Sequence, residues 1–171
     1  KQTTLQKPVS IDGVGLHTGK QVTMTFQPAA ANQGYKFKRI DLENEPVIPA
    51  DISRVVSTNR GTTIRMGEAQ VSTIEHTLSA LRGMNIDNAL IEINGPEAPI
   101  LDGSAEHFVQ MIKDAGIEEL DADREYFEIE EAISYRDEVT GTELLALPSD
   151  TFQVTTMIDF GSPVLGQQYA K

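Results

Sequence analysis

Three histidines, His17, His76 and His107, and no cysteine in 171 residues narrow the chemistry this chain can carry. Any transition-metal site must be built from imidazole and carboxylate. The adjacent pair Glu75-His76 is the most promising, because it falls near the start of a helical pattern. A helix N-terminus favours a carboxylate and disfavours an imidazolium, so a histidine there suits metal ligation. A glutamate beside a metal-bound histidine can act as general base on a water. The helix is not of the His-Glu-x-x-His type, because Ala80 stands four residues after His76. It therefore supplies at most one ligand, where a catalytic zinc takes three and keeps a fourth position open. The plainer reading is that Glu75 closes a capping box with Ser72 and that His76 is an ordinary helix residue.

The glycine-rich stretch Gly13-Val14-Gly15-Leu16-His17-Thr18-Gly19-Lys20 invites comparison with a phosphate loop. The comparison fails: Val14 and Gln21 stand where a P-loop needs glycine and a hydroxyl, and Thr18 where the dinucleotide fingerprint needs glycine. A turn between strands, with His17 a loop residue, explains it. Asp102-Gly103-Ser104 reads as a tight turn whose serine caps the next helix, with His107 in that helix's first turn. A three-histidine site is formally open, but no spacing supports it.

These residues need elements to hold them. Val22, Met24 and Phe26 alternate with Thr23 and Thr25, predicting a strand over Gln21–Gln27. Gln27-Pro28 and the following residues to Gly34 predict a turn, with Tyr35–Ile40 as the hairpin partner. An extended segment follows through Ile48, then a strand over Gly61–Met66. Ile74, Leu78 and Leu81 form a helical stripe stopped by Gly83. A strand over Asp87–Asn94 comes next, then a proline-bearing loop, Gly95–Gly103. A second helix runs from Ser104 to Gly116 with Phe108, Met111, Ile112 and Ala115 at helical spacing. Further on, Tyr126–Ile133, Glu143–Leu147 and Phe152–Phe160 read as strands, with a hairpin turn over Asp137–Gly141. The pattern predicts an α+β class: a two-layer sheet-and-helix domain over residues 1–120, then the beginning of a second similar domain over 121–171.

The composition, 39% apolar with 13 glycines, is that of a globular protein. Its longest purely apolar run, Leu144–Leu147, is far short of a membrane span. No basic segment leads into an apolar one as in a signal peptide, and the absence of cysteine suits a reducing, cytoplasmic setting. Fourteen basic against 26 acidic residues give −12, which argues against nucleic acid as a partner. Nine acids and one base, Arg124, fall between Asp114 and Glu131, a solvated linker by composition.

Four segments in order and spacing carry a resemblance: Gly13-Val14-Gly15-Leu16-His17-Thr18-Gly19, Ser72–Leu81, Ile86-Asp87-Asn88, and Gly95-Pro96-Glu97-Ala98-Pro99-Ile100-Leu101-Asp102-Gly103-Ser104-Ala105. Together they resemble the zinc-dependent UDP-3-O-acyl-N-acetylglucosamine deacetylases of lipid A biosynthesis, along the whole chain. The resemblance implies two α+β domains of similar build, their helices sandwiched between the sheets, with the active site in the cleft between them. It further implies a small-molecule substrate, a UDP-sugar carrying an acyl chain. Zinc is the implied cofactor, with His76 as one ligand, Glu75 as catalytic general base, and loop residues Asn59, Arg60 and Gly61 flanking the substrate. The implied reaction hydrolyses the sugar's acetamide to acetate and a 2-amine.

The sequence departs from the family pattern in its second half. No His-x-x-x-Asp follows position 126 and no histidine follows His107, so the remaining zinc ligands are expected in a missing C-terminal part. Ser162 stands where the family's later segment carries histidine before proline. The 171 residues by themselves are therefore expected to bind zinc weakly and to lack activity. In some bacteria the family is fused to a hydroxyacyl-carrier-protein dehydratase. A non-catalytic binding or scaffold domain sharing the fold is the alternative, discriminated by a downstream His-x-x-x-Asp. The stripes Ile74, Leu78, Leu81 and Phe108, Met111, Ile112 are expected to stay partly open for the missing half, or to drive self-association.

Overall fold

A computed structural model describes residues 1–171 and divides them into two compact units, Lys1–Arg124 and Glu125–Lys171. In the first unit the chain forms β1 (Thr3–Leu5), β2 (Val9–Val14), β3 (Gln21–Pro28), β4 (Tyr35–Arg39) and β5 (Val47–Pro49). After a 3-10 turn at Ile52–Arg54 come β6 (Val55–Ser57), β7 (Thr63–Met66), β8 (Ala69–Val71) and α1 (Glu75–Gly83). It then forms β9 (Ala89–Ile93), α2 (Glu106–Ala115) and β10 (Ile117–Glu119). The α+β class is as expected. One sheet has the order β2-β3-β9-β4-β5, a second β6-β7-β8, and β1 pairs with β10 to close the unit's two ends.

Alternation explains the five-stranded sheet. Val22, Met24 and Phe26 of β3, Phe37 of β4 and Ile91 and Ile93 of β9 are buried on one face. On the other face Ser10 bonds Thr25, and Gln27 donates to Glu92 at 2.7 Å. Helices cover the apolar face: the Phe26 and Phe108 ring centroids lie 6.1 Å apart, and Thr77 of α1 approaches the Met24 sulfur at 3.9 Å. The second helix ends where Gly116 takes φ +75°, a conformation that favours glycine.

Four expectations are corrected. Tyr35–Ile40 is not the hairpin partner of Gln21–Gln27, because β9 lies between β3 and β4, antiparallel to one and parallel to the other. Its buried residues, Ala89, Ile91 and Ile93, make it the apolar centre of the sheet, and such a strand needs a neighbour on both sides. Local turn chemistry cannot reveal a strand that arrives from far along the chain. Second, the helix stripes do not stay open: Ile74, Leu81, Phe108, Met111 and Ile112 are all buried in the first unit's own core, and Leu78 packs against it. Third, Tyr126–Ile133 is not a strand, since only Ile133 enters one and Tyr126 and Phe127 are exposed. Fourth, Phe152–Phe160 contracts to a strand over Thr156–Asp159. Alternation marks a capacity to pair, and here only the middle of the segment enters a ladder.

The second unit consists of two hairpins. In one, β11 (Ile133–Arg136) pairs with β12 (Glu143–Ala146). In the other, β13 (Thr156–Asp159) pairs with β14 (Gln167–Ala170). The predicted turn at Asp137–Gly141 is present, with Gly141 N–H donating to Asp137 O at 2.8 Å and the Asp137 carboxylate accepting from Val139 and Thr140 N–H. This unit's large apolar side chains are exposed, among them Phe127, Leu144, Leu145, Phe152 and Tyr169. Isolated two-stranded ribbons of this kind are marginal in water.

Candidate functional site

Three of the four sequence segments meet in the first unit. Gly15 bridges Pro99, and Ile100 N–H donates to Val14 O at 3.0 Å. Ser72 N–H donates to Pro96 O at 2.9 Å and Ala98 N–H to Ser72 O at 3.0 Å. The proline-bearing loop thus lies against both the glycine-rich turn and the entry to α1.

Glu97 sits at the centre of this junction, 1% exposed. Its Oε1 accepts from His17 N–H at 2.9 Å and from the Thr73 hydroxyl at 3.0 Å, and its Oε2 accepts from Thr18 N–H at 2.8 Å. Burial pushes this carboxyl up, but the His17 and Thr18 N–H groups and the Thr18 and Thr73 hydroxyls together outweigh it and hold the group below the usual glutamate range. A methyl group at Gly15 would collide with Glu97 Oε2 and Thr18 Oγ1, so glycine is what allows the turn to close over the carboxylate.

Thr73, two residues before Glu75, has φ +59°, a left-handed conformation that β-branched residues avoid. The expected capping box does not form. The α1 N-cap position is Ile74 in helical geometry with no side-chain cap, and Ser72 Oγ donates instead to Pro96 O at 3.2 Å. Released from capping, the exposed Glu75 carboxylate accepts from Thr62 N–H through Oε1. Thr62 directly follows the loop residues Asn59, Arg60 and Gly61. Gly61 lies against Thr73, where a Cβ would come 3.4 Å from Thr73 Oγ1. The His17 ring reaches the same loop, its Nε2 standing 3.0 Å from Arg60 O. Arg60 is itself left-handed at φ +59°. Asn59, Arg60, Gly61, Glu75 and His17 therefore belong to one neighbourhood, and half-buried His76 adjoins it along α1.

His107 is not part of it. Its Nε2 stands 3.5 Å from Asp102 Oδ2, both side chains about half exposed. The Ser104 N–H and hydroxyl, aided by His107, hold the Asp102 carboxyl below its ordinary range. Ser104 Oγ in turn accepts from Glu106 N–H at 3.1 Å, but it is not the cap expected of it: α2 begins two residues later, with Ala105 at the N-cap position. No three His, Asp or Glu side chains are grouped to hold a metal, and the three-histidine arrangement is not formed.

Sequence reasoning missed Glu97. It was visible only as an acid inside Pro-Glu-Ala-Pro, a context that reads as surface loop. The usable signal was its place in an apolar run, after Pro96 and before Ala98 and Pro99.

Comparison with known proteins places this arrangement in context. Residues 2–171 match the sequence model of the family described as LpxC: UDP-3-O-acyl N-acetylglycosamine deacetylase. The chain is 46% identical over 169 residues to a bifunctional LpxC/FabZ enzyme of Chlorobaculum tepidum, covering 99% of this chain and 36% of that protein. It is 45% identical over 168 residues to a UDP-3-O-acyl-N-acetylglucosamine deacetylase of Anaeromyxobacter sp. strain Fw109-5, covering 98% and 54%. The corresponding Methylococcus capsulatus deacetylase is 43% identical over 165 residues, covering 96% and 53%. The chain thus spans from about a third to about half the length of these relatives.

Proposed function

Because this chain belongs to the UDP-3-O-acyl N-acetylglycosamine deacetylase family, we propose that it forms the Glu75-bearing part of an enzyme that removes the N-acetyl group from UDP-3-O-acyl-N-acetylglucosamine in lipid A biosynthesis. The observation that carries this reading is the position of Glu75. Its carboxylate is free of capping duty, and the backbone of the Asn59–Thr62 loop holds it at one oxygen. The second oxygen remains available to take a proton.

In the proposed reaction Glu75 accepts the proton of a water that attacks the acetamide carbonyl carbon. The C–N bond then breaks, the nitrogen leaves protonated as the 2-amine, and acetate departs. Asn59, Arg60 and Gly61 flank the sugar nucleotide. Zinc dependence belongs to the proposal, with His76 as one ligand and the remaining ligands supplied from outside these residues, among which no three His, Asp or Glu side chains are grouped to hold a metal. Two α+β domains of similar build, the second beginning after residue 120, are likewise proposed. So is a cytoplasmic location; no helix here is long and apolar enough to cross a membrane.

The test is Glu75→Gln in the full-length enzyme. Glutamine can still accept from Thr62 N–H but cannot take a proton. We expect the deacetylation rate to fall by ~10²-fold or more, with stability changed by less than ~1 kcal/mol. An active Glu75→Gln enzyme would remove the general base from the proposal and leave a structural role for this residue.

A further inference from the structure

We propose that Glu97 is a positioning residue for Glu75, setting both the direction in which the chain enters α1 and the loop that holds the Glu75 carboxylate. The inference rests on the reading of Glu75 as base and extends it to a buried residue.

Two routes lead from Glu97 to Glu75. The first runs along the chain: the Thr73 hydroxyl donates to Glu97 Oε1 at 3.0 Å, and Thr73 holds φ +59° two residues before Glu75. A β-branched residue keeps that conformation only where its surroundings over-determine it, and Glu97 provides the side-chain partner. The second runs through space. Glu97 accepts from the N–H groups of His17 and Thr18, which fixes the glycine-rich turn. The His17 ring then meets Arg60 O at 3.0 Å, and two residues on Thr62 N–H donates to Glu75. Gly61, packed on Thr73, ties the routes together. Every donor here is aimed at a fully acceptor group. A glutamine at 97 would turn one of its ends into a donor facing donors, without changing the shape.

The experiment has two arms and two variants. Glu97→Gln removes the acceptor; Gly15→Ala keeps the charge but drives a methyl into the space of Glu97 Oε2. On the 171-residue chain, amide exchange is followed at Thr62, with the amides of Phe26 and Ile91 as core references. We expect Thr62 to exchange at least ~10-fold faster in both variants while the core amides hold. In the full-length enzyme we expect kcat to fall ~10-fold or more with KM within about threefold, the pattern of lost transition-state geometry rather than lost binding. Should Glu97→Gln fail to fold, Gly15→Ala decides alone. Unchanged Thr62 exchange in a folded variant overturns the inference, as does an unchanged kcat. An active Glu75→Gln enzyme, by contrast, refutes the base reading and leaves the Thr62 exchange to judge Glu97 by itself.

Discussion

Thr73 is where strain and hydrogen bonding oppose each other, and a substitution series separates them. The left-handed backbone at φ +59° costs an L-residue about 1–2 kcal/mol. The hydroxyl's bond to the Glu97 carboxylate, 3.0 Å long and buried, contributes about 1.5–3 kcal/mol because the acceptor is charged. Serine keeps the hydroxyl and loses one methyl, about 0.8 kcal/mol of burial partly offset by easier left-handed geometry. Thr73→Ser should therefore lie within about 1 kcal/mol of the parent. Glycine relieves the strain but loses the bond and gains unfolded-state entropy worth about 0.5–1 kcal/mol, leaving it roughly 1–2 kcal/mol less stable. Valine keeps the strain and leaves the carboxylate one donor short, a loss of about 2–3 kcal/mol. The expected order is Thr and Ser together, then Gly, then Val, measured by urea unfolding followed by circular dichroism. A glycine variant more stable than serine would refute the reasoning, for it would mean that strain outweighs the bond to Glu97.

Burial pushes the Tyr35 hydroxyl up to about 12, and that hydroxyl donates to Ile86 O. Raised in this way, it contributes stability that is complete below the free tyrosine value and is lost as pH rises towards 12. The ultraviolet phenolate signal missing from Tyr35→Phe should therefore appear near 12 and coincide with alkaline loss of structure; its appearance near 10 would refute the burial argument. Association, if it occurs, should arise from the exposed apolar residues of the second unit. Light scattering of the 171-residue chain should then rise with salt as the −12 charge is screened. Replacing Leu144 and Leu145 by serine should abolish the rise, and a monomer at both low and high salt would remove the case for self-association.

Much of the first unit was legible because its elements obey local rules. Met24 and Phe26 alternate, Ile74, Leu78 and Leu81 recur at helical spacing, and Gly116 stops α2, whereas Gly83 is still helical and the left-handed residue after α1 is Asn85. What stayed hidden is non-local. β1 is three residues long and stands because residues 117–119 pair with it. The Ser72–Glu75 spacing fits a capping box, yet both side chains found partners elsewhere, at Pro96 O and Thr62 N–H. The site shows the same division: Glu75 and His76 are visible by type and spacing, whereas the carboxylate that orders their surroundings bonds to backbone groups about 80 residues earlier.

The central position of β9 also dictates a timetable. During synthesis β3 and β4 leave the ribosome with facing edges that no neighbouring segment can satisfy, and the strand that fits between them begins about 60 residues after β3 ends. At elongation rates of about 5–20 residues per second, those edges stay open for roughly 3–12 s. The unit then waits again for β10, whose pairing with β1 joins residues 3–5 to residues 117–119. Nascent chains arrested before Ile93 should therefore be readily cleaved by protease in β3 and β4, and those released past Glu119 should resist. The polar face of the sheet, with its serines, threonines and charges, gives those waiting strands little to aggregate with on that side.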